Sequence, residues 1–399
     1  MTIKTALGTL AAALLLGWGI APACAADPAP YEIHVIEALS GGGSFLGHAE
    51  GQGLAEFETI INKSGGIQGR PLKFVYHDDQ TNPQVAVQLA NDILALKPAV
   101  VFVSSVVAIC NAVAPLFLDN GPVMYCFAPG IHPKAGSYVY SMNTSTLDLA
   151  AASIRYWRLK GVTRLAILTS TDGSGQDAER SLLEVVGRPE NKDVIKIVAN
   201  EHFNTSDVSV SAQIETIKAA NPQLLFAWST GAPIATVFRA VQQAGLEIPV
   251  ATTDGNMTYA QMTQFAAFLP KQLYIHSSPW MVDGNSAIKL PPAVVAKQKV
   301  FYDSFRAAGI EPDVATVLGW EPASIVSSGL VKLGPGASAA QLNDYLQHLQ
   351  GFAGVTGIYD FVKTPQRGLD IDNAIVTRWE PDKHRWIPVS QLGGVPLGQ

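Results

Sequence analysis

The chain has 399 residues, of which 48% are hydrophobic and 15% are charged, and its formal net charge is −6. This composition is typical of a folded chain of about two domains and excludes a disordered protein. The sequence has no Lys/Arg-rich run, which argues against nucleic acid and anionic membrane surfaces as partners.

The N-terminus has the pattern of a secretory signal peptide. Lys4 supplies a positive charge, residues 7–20 are apolar, and small residues precede Ala25. We predict that residues 1–25 are removed by cleavage and that the mature chain is periplasmic. An alternative is lipid attachment at Cys24, although the residues before it match that motif poorly.

Short apolar runs then alternate with amphipathic stretches. The patterns predict strands at 31–39, 71–77, 99–104 and 123–127, and helices at 47–63, 83–95 and 111–120. A second series follows, with helices at 149–160, 177–186, 208–220 and 234–245, and strands at 164–170, 194–199, 224–229 and 250–253. Such β-α alternation predicts parallel sheets that are covered by helices.

The last third of the chain breaks this alternation. It contains a predicted strand at 273–277, helices at 292–308, 315–331 and 341–349, and a strand at 371–379. We expect this part to return and complete both halves of the molecule. The predicted fold class is therefore α/β, with two doubly wound parallel-sheet lobes.

Residues that would carry catalysis or bind a metal do not form any recognisable constellation. Gly173-Ser174-Gly175 lacks the spacing of a nucleophile elbow, and the sequence contains neither a Walker A motif nor His-Glu-x-x-His. The eight histidines are scattered, with no pair at ligand spacing on a predicted helix. We predict that the chain is not an enzyme and uses no cofactor or metal; a secreted α/β enzyme is the alternative.

Two polar segments follow predicted strands. Gly41–Gly47 lies between a strand and a helix, where a loop can bind phosphate or another small ligand, but its spacing is not G-x-G-x-x-G. Asp78-Asp79 could be a carboxylate pair or a metal site, yet these residues lead into the helix start Asn82-Pro83, which favours a turn.

Cleavage of the signal peptide would leave two cysteines, Cys110 and Cys126, in a compartment where disulfides persist. Both lie near the ends of predicted strands, so a disulfide between them is geometrically possible. The alternative is two buried thiols that act as small hydrophobic side chains.

Four segments carry a resemblance to a known family. They are Asn62–Arg70 (NKSGGIQGR), Asp78–Pro83 (DDQTNP), Ala112–Pro115 (AVAP) and Thr356–Phe361 (TGIYDF). In this order, after a signal peptide, they resemble the leucine/isoleucine/valine-binding protein family over most of the mature chain. Local structure also explains the glycines of the first segment, because they suit a tight turn between a helix and a strand.

The resemblance implies a type I periplasmic-binding fold, with crossover strands near 142–145, 276–279 and 356–361. Lobe 1 would comprise 28–144 plus 278–356, and lobe 2 would comprise 145–277 plus 357–399. The chain would then be a monomeric solute-binding protein that closes on a small molecule and delivers it to an inner-membrane ABC permease. A sensory binding protein of the same fold, which signals to a membrane receptor, is the alternative.

The resemblance also indicates candidate ligand contacts in the loops at the strand ends. In lobe 1 these are Ser44, Phe45, Ser105, Ala108, Phe127 and Ala128, and in lobe 2 they are Thr171, Ser174, Thr230, Gly231 and Asp254. Asp254 matches the acidic residue that holds a ligand ammonium in amino-acid binders. The carboxyl ends of parallel strands are also where open α/β sheets bind ligands.

The sequence departs from the family pattern where a ligand carboxylate would be held. Val106 and Val107 stand where amino-acid binders carry serines, and Gly130 stands where a threonine is common. The ligand class therefore stays open among an amino acid, an amide and an aromatic acid.

Overall fold

The computed structural model describes residues 1–2, 28–282 and 288–398. The predicted signal peptide and Cys24 fall almost entirely outside these residues. The described residues form two large β-sheets with helices packed around them.

The first sheet has five parallel strands in the order β2-β1-β3-β4-β5. These strands are β1 (Tyr31–Glu37), β2 (Leu72–Asp78), β3 (Val100–Val103), β4 (Val123–Cys126) and β5 (Val139–Ser141). The helices between them are α1 (Ser44–Lys63), α2 (Pro83–Ala95) and α3 (Val107–Val113). β3 and β4 are buried on both faces, as expected for a parallel sheet between helical layers.

The second sheet has seven strands in the order β14-β13-β10-β9-β8-β6-β7. Its parallel part consists of β6 (Arg164–Ser170), β7 (Lys196–Phe203), β8 (Leu224–Trp228), β9 (Val250–Thr252) and β10 (Leu273–Ser277). The helices along this part are α4 (Thr146–Leu159), α5 (Gly173–Gly187), α6 (Ser211–Ala219), α7 (Ile234–Gln243) and α8 (Tyr259–Gln264).

The last part of the chain adds elements to both halves. It contains α9 (Pro292–Ala308), α10 (Val314–Leu333), α11 (Ala339–Gln347) and a hairpin of β11 (Gln350–Ala353) and β12 (Ile358–Asp360). Two antiparallel strands, β13 (Ile375–Glu380) and β14 (Arg385–Pro388), then extend the second sheet. We call each large sheet with its helices a lobe; the two-lobed α/β prediction is confirmed.

Helix α10 crosses α1 at very short range. A Cβ atom on Gly53 would lie 2.1 Å from the Thr316 carbonyl oxygen, and one on Gly319 would lie 2.2 Å from the Glu50 carbonyl oxygen. Only glycine allows this approach at both positions. The length and hydropathy of α10 would suffice to cross a membrane, but 83% of its apolar window is buried, as in the core helix of a globular protein.

Local signals explain several helix boundaries. The Asn82 side chain accepts hydrogen bonds from the amides of Gln84 and Val85, and Pro83 occupies the first helical position, which confirms the predicted start of α2. The helix predicted at 111–120 is wrong in its bounds. It begins at Val107 and ends at Val113, because Pro115 has no amide hydrogen with which to continue the α-helical pattern.

Candidate functional site

A small cavity lies where the strand ends of the two lobes face each other. From the first lobe it is lined by Leu46, Ser105, Val107 and Gly130, and from the second by Ser174, Trp228, Thr230, Thr253 and Asp254. Thr146, at the start of α4, and Leu318, in α10, complete much of the wall. The cavity therefore lies at the carboxyl ends of both parallel sheets, where open α/β sheets bind ligands.

The lobes are closed around this cavity. The Ala232 amide donates to the Gly42 carbonyl oxygen at 3.2 Å, which joins the loop after β8 to the loop after β1. Gly231 has a φ of +82°, and a Cβ atom there would lie 2.5 Å from the same Gly42 oxygen. The cavity that remains has a volume of ≈ 20 Å³. That is room for about one water molecule, so a larger ligand requires the lobes to separate.

Asp254 is the buried charged group of the cavity wall. It follows β9 in a short 3-10 turn and is 2% exposed. Asn143 Nδ2 donates to Asp254 Oδ2 at 2.7 Å, and Thr253 Oγ1 donates to Asp254 Oδ1 at 3.2 Å. Burial raises the pKa of Asp254 to about 6, against the opposing effect of these hydrogen bonds. Above that pH, the wall of the second lobe presents a carboxylate.

Asn143 lies in the segment that connects β5 to α4. This segment is one of those in which the chain crosses from one lobe to the other. Its φ of +69° is in the left-handed region, which Asn tolerates better than most residues. Its side chain bridges to Asp254 in the second lobe. This contact ties the candidate ligand group to the hinge between the lobes.

Three further polar groups of the second lobe form one chain of hydrogen bonds. Ser174 Oγ lies 2.8 Å from Thr230 Oγ1, and Trp228 Nε1 donates to Ser174 Oγ at 3.1 Å. The Trp228 ring stacks on the ring of His276 at a centroid distance of 4.9 Å. His276 is 1% exposed, and burial lowers its pKa to about 3, so this imidazole is neutral.

A disulfide supports the first-lobe wall from behind. Cys110 in α3 is bonded to Cys126 at the end of β4, and both residues are fully buried. Val107 lies one turn before the first cysteine, and Gly130 lies four residues after the second. The bond therefore joins the two segments that present these lining residues.

The described residues contain no group of three or more His, Cys, Asp or Glu side chains that could hold a metal ion. Asp78, which was considered for a metal site, instead accepts hydrogen bonds from the amides of Leu39, Ser40 and Gln80. It therefore shapes the turn between β2 and α2 and holds the loop after β1.

Comparison with known proteins agrees with this geometry. A family model described as "Periplasmic binding protein" matches residues 30–384. The chain belongs to the periplasmic binding protein family. The resemblance to the branched-chain amino-acid binders is thereby confirmed.

Individual relatives of this periplasmic binding protein are distant. An "Amino acid binding protein" from Pseudomonas aeruginosa is 23% identical over 341 residues, which cover 83% of this chain and 85% of that protein. A solute-binding protein from Rhodopseudomonas palustris in complex with benzoate has a TM-score of 0.75 at 16% identity, covering 93% of this chain and 98% of that one. A branched-chain amino acid transporter substrate binding protein from Streptococcus pneumoniae, in complex with isoleucine, has a TM-score of 0.69 at 17% identity and covers 90% and 97%. At these identities the solved structures support the fold alone.

The structure brings four of the predicted ligand contacts together around the cavity, namely Ser105, Ser174, Thr230 and Asp254. Gly231 lies at the closure contact beside them. Ser44 and Phe45 occupy the first turn of α1 outside the lining, where the Phe45 ring packs edge-on against Phe265 at 5.9 Å. Thr171 is exposed, and its hydroxyl donates to Asn204 Oδ1 at 2.9 Å.

Phe127, Ala128 and Ala108 also do not line the cavity. Phe127 continues the alternation of β4 and packs in the core, with its ring 5.5 Å from that of Phe102. Ala128 points to the opposite face of the sheet, into the cluster that contains Cys126. Because helices cover both faces, neither side chain reaches the cleft. Ala108 lies half-buried in α3, beside the lining residue Val107.

Several lining residues were not predicted from the sequence. Trp228 and Thr253 could have been found, because each lies at the end of a predicted strand beside a predicted contact. Leu318 gave no such signal, since it reaches the cavity from α10, far away in sequence.

Proposed function

We propose that this protein is a transport receptor, which binds a small polar or amphipathic solute between its lobes and delivers it to an ABC importer of the inner membrane. The proposed ligand is of the amino acid, amide or aromatic acid class. We propose that lobe 1 consists of residues 28–144 plus 278–356, that lobe 2 consists of 145–277 plus 357–399, and that export follows cleavage after Ala25.

One observation carries the proposal. Polar side chains from both lobes, Ser105 from one and Ser174, Thr230 and Asp254 from the other, converge on a single cavity at the strand ends. A ligand that contacts both sets stabilises the closed arrangement more than the open one, because only closure lets it bind both. Closure coupled to binding is what a permease needs in order to distinguish loaded from empty receptors.

The same groups favour binding without covalent chemistry. The Ser174 hydroxyl contacts the Thr230 hydroxyl and the Trp228 N–H, and neither of these can act as a general base. The neighbouring His276 has its ring stacked on Trp228. The described lining residues thus supply hydrogen bonds and one carboxylate, as expected for a receptor that releases its ligand unchanged.

The direct test is a thermal-shift screen of the mature protein, followed by small-angle scattering with each compound that responds. A ligand at about 100 times its Kd stabilises by roughly 2.7 kcal/mol, which is readily measured. We expect a compound that raises the Tm also to reduce the radius of gyration. Stabilisation without any change in shape would contradict an interlobe site.

Delivery to an importer needs a separate experiment. Membrane vesicles with the cognate permease should accumulate the labelled ligand only when this protein and ATP are both present. Accumulation that does not depend on the protein would remove the transport role and favour the sensory alternative.

A further inference from the structure

The first-lobe wall of the cleft is backed by buried carboxyl groups. Glu50 lies one helical turn after the lining residue Leu46 on α1 and is fully buried. The amide of Ser105, another lining residue, donates to Glu50 Oε2 at 3.4 Å. The Ser105 backbone N–H is therefore already used by the protein and is not available to a ligand.

Glu50 shares its buried site with Glu37, at the end of β1. Glu37 Oε2 and Glu50 Oε1 are both buried and receive no N–H or O–H from the described residues. Burial, followed by the charge of Glu50, raises the pKa of Glu37 well above its usual value. A single proton on Glu37, donated to Glu50, satisfies both oxygens and leaves Glu50 as the ionised partner.

The Ser105 hydroxyl is the polar side chain that the first lobe leaves to a ligand. Ser105 Oγ is buried and has no hydrogen-bond partner among the described residues. Burial raises the pKa of Glu50, which lies behind this residue. The first lobe thus offers the ligand one hydroxyl, which can accept an N–H, and apolar surface from Leu46 and Val107.

The described lining of the cavity carries charge of one sign only. Asp254 lines it, and no Lys, Arg or His is found among its described lining residues. Arg367 is buried nearby, but its guanidinium donates to the backbone oxygens of Ile131, Met142 and Asn143. Asp177, beside Gly130, is already paired with His132 and Arg180.

We infer that the cleft selects a solute that presents N–H donors and no carboxylate, that is, a small amine or primary amide. This inference rests on the proposed function, because it names the chemistry of the ligand in the same site. A ligand carboxylate would lose its hydration between Asp254 and Glu50 without gaining a cation, which is strongly unfavourable. An ammonium or amide group satisfies the acceptors of both lobes. Glu37 and Glu50 act from behind the wall, as specificity-determining residues that repel anions.

The test uses triplets of compounds that share an apolar group, of which the first member carries a carboxylate and the other two do not. These are acetate, acetamide and ethylamine; L-leucine, L-leucinamide and isoamylamine; and benzoate, benzamide and benzylamine. Affinities are measured by thermal shift and calorimetry after extensive dialysis. In any triplet that binds, we expect the amide or amine to bind about tenfold or more tightly than the acid, given the charge repulsion.

An acid that binds as tightly as its amide and amine would overturn the inference and leave the proposed function intact. Failure of every compound to stabilise the protein would instead count against the proposed function, since a receptor of these ligand classes should respond to at least one of them.

A double variant, Glu37→Gln with Glu50→Gln, tests the cause of the discrimination. It keeps the shape of both side chains and removes the buried charge. The affinity for the acid should therefore rise by about tenfold relative to the affinity for its amide. Glu32→Gln is the matched control, because Glu32 lies on the same strand as Glu37 but is exposed and paired with Lys73. Unchanged discrimination in a folded double variant would overturn the role of the carboxyl pair. If that variant does not fold, the wild-type triplets decide the inference.

Discussion

The two sides of the cleft use different means to shape one cavity. The second lobe presents polar groups directly, with Asp254, Thr230 and Ser174 in the lining. The first lobe presents mostly apolar side chains, and its carboxyl groups and its disulfide lie one layer behind. We therefore propose different roles for the two sides. The second lobe would anchor the ligand, and the first lobe would determine the shape and charge that the ligand must match.

The largest expected effect is the loss of unfolding free energy when the disulfide that supports the first lobe is removed. Replacing both Cys110 and Cys126 with alanine opens a loop closed across a sequence separation of 16. The unfolding free energy should fall by about 3 kcal/mol, measured by chemical denaturation. Reducing agent is the internal control: it should destabilise the wild type and leave the variant unchanged. An unaltered denaturation midpoint in the variant would show that the wall does not depend on the bond.

The second lobe is tested by Asp254→Asn, which removes the charge but keeps the shape. An amine ligand should lose about 10- to 100-fold in affinity, because a charge-assisted hydrogen bond becomes a neutral one. Calorimetry measures the change. Glu215→Gln, on the exposed face of α6, is the matched control. Equal affinities for wild type and Asp254→Asn would remove this carboxyl from the ligand contacts.

The contact between the two sides is tested by Gly231→Ala. The added Cβ would meet the Gly42 oxygen at 2.5 Å, so full closure should be blocked and affinity should fall by about tenfold. Gly245→Ala is the matched control, since Gly245 also has a positive φ (+61°) but has no neighbouring atom within 4 Å of the position that its Cβ would take. Scattering should show that ligand compacts the control and fails to compact Gly231→Ala.

The smallest expected effect is the change in affinity for an amine with pH. Since burial raises the pKa of Asp254 to about 6, the carboxylate that pairs with an amine is lost below that value. Between pH 7 and 5.5 the affinity for an amine should fall by about fourfold, and Asp254→Asn should abolish this dependence. The stability of the unliganded protein should change in the opposite sense: the contribution of Asp254 favours folding at low pH and is lost as pH rises from about 4 to 6.

Much of the fold could be predicted because its signals are local. The alternation of short apolar runs and amphipathic stretches gave the two series of strands and helices, and Asn82 with Pro83 gave a helix start. The short strand β5 and the terminal strand β14 were missed. Each is three or four residues long and, unlike the equally short β3 (VVFV) and β4 (VMYC), includes a polar residue or a proline, so no continuous apolar run marks it.

The site was less predictable, because one residue of register decides which way a side chain points. Ser105, Ser174, Thr230 and Asp254 lie in the segments that follow strand ends, and the family resemblance indicated them as ligand contacts. Phe127 and Ala128 also follow a strand, but they still alternate between two covered faces. Glu37 and Glu50 lie 13 positions apart in different elements, so only the packing of α1 on the sheet reveals that they share a buried site.

The close crossing of α1 and α10 has a consequence for the order in which the chain can fold. The face of α1 that carries Gly53, Leu54 and Phe57 is covered by a helix that begins at Val314. During synthesis, the N-terminal segment therefore presents apolar surface before its partner helix has been made. Native packing of the first lobe must wait for the last third of the chain, and until then the early segment is exposed to aggregation.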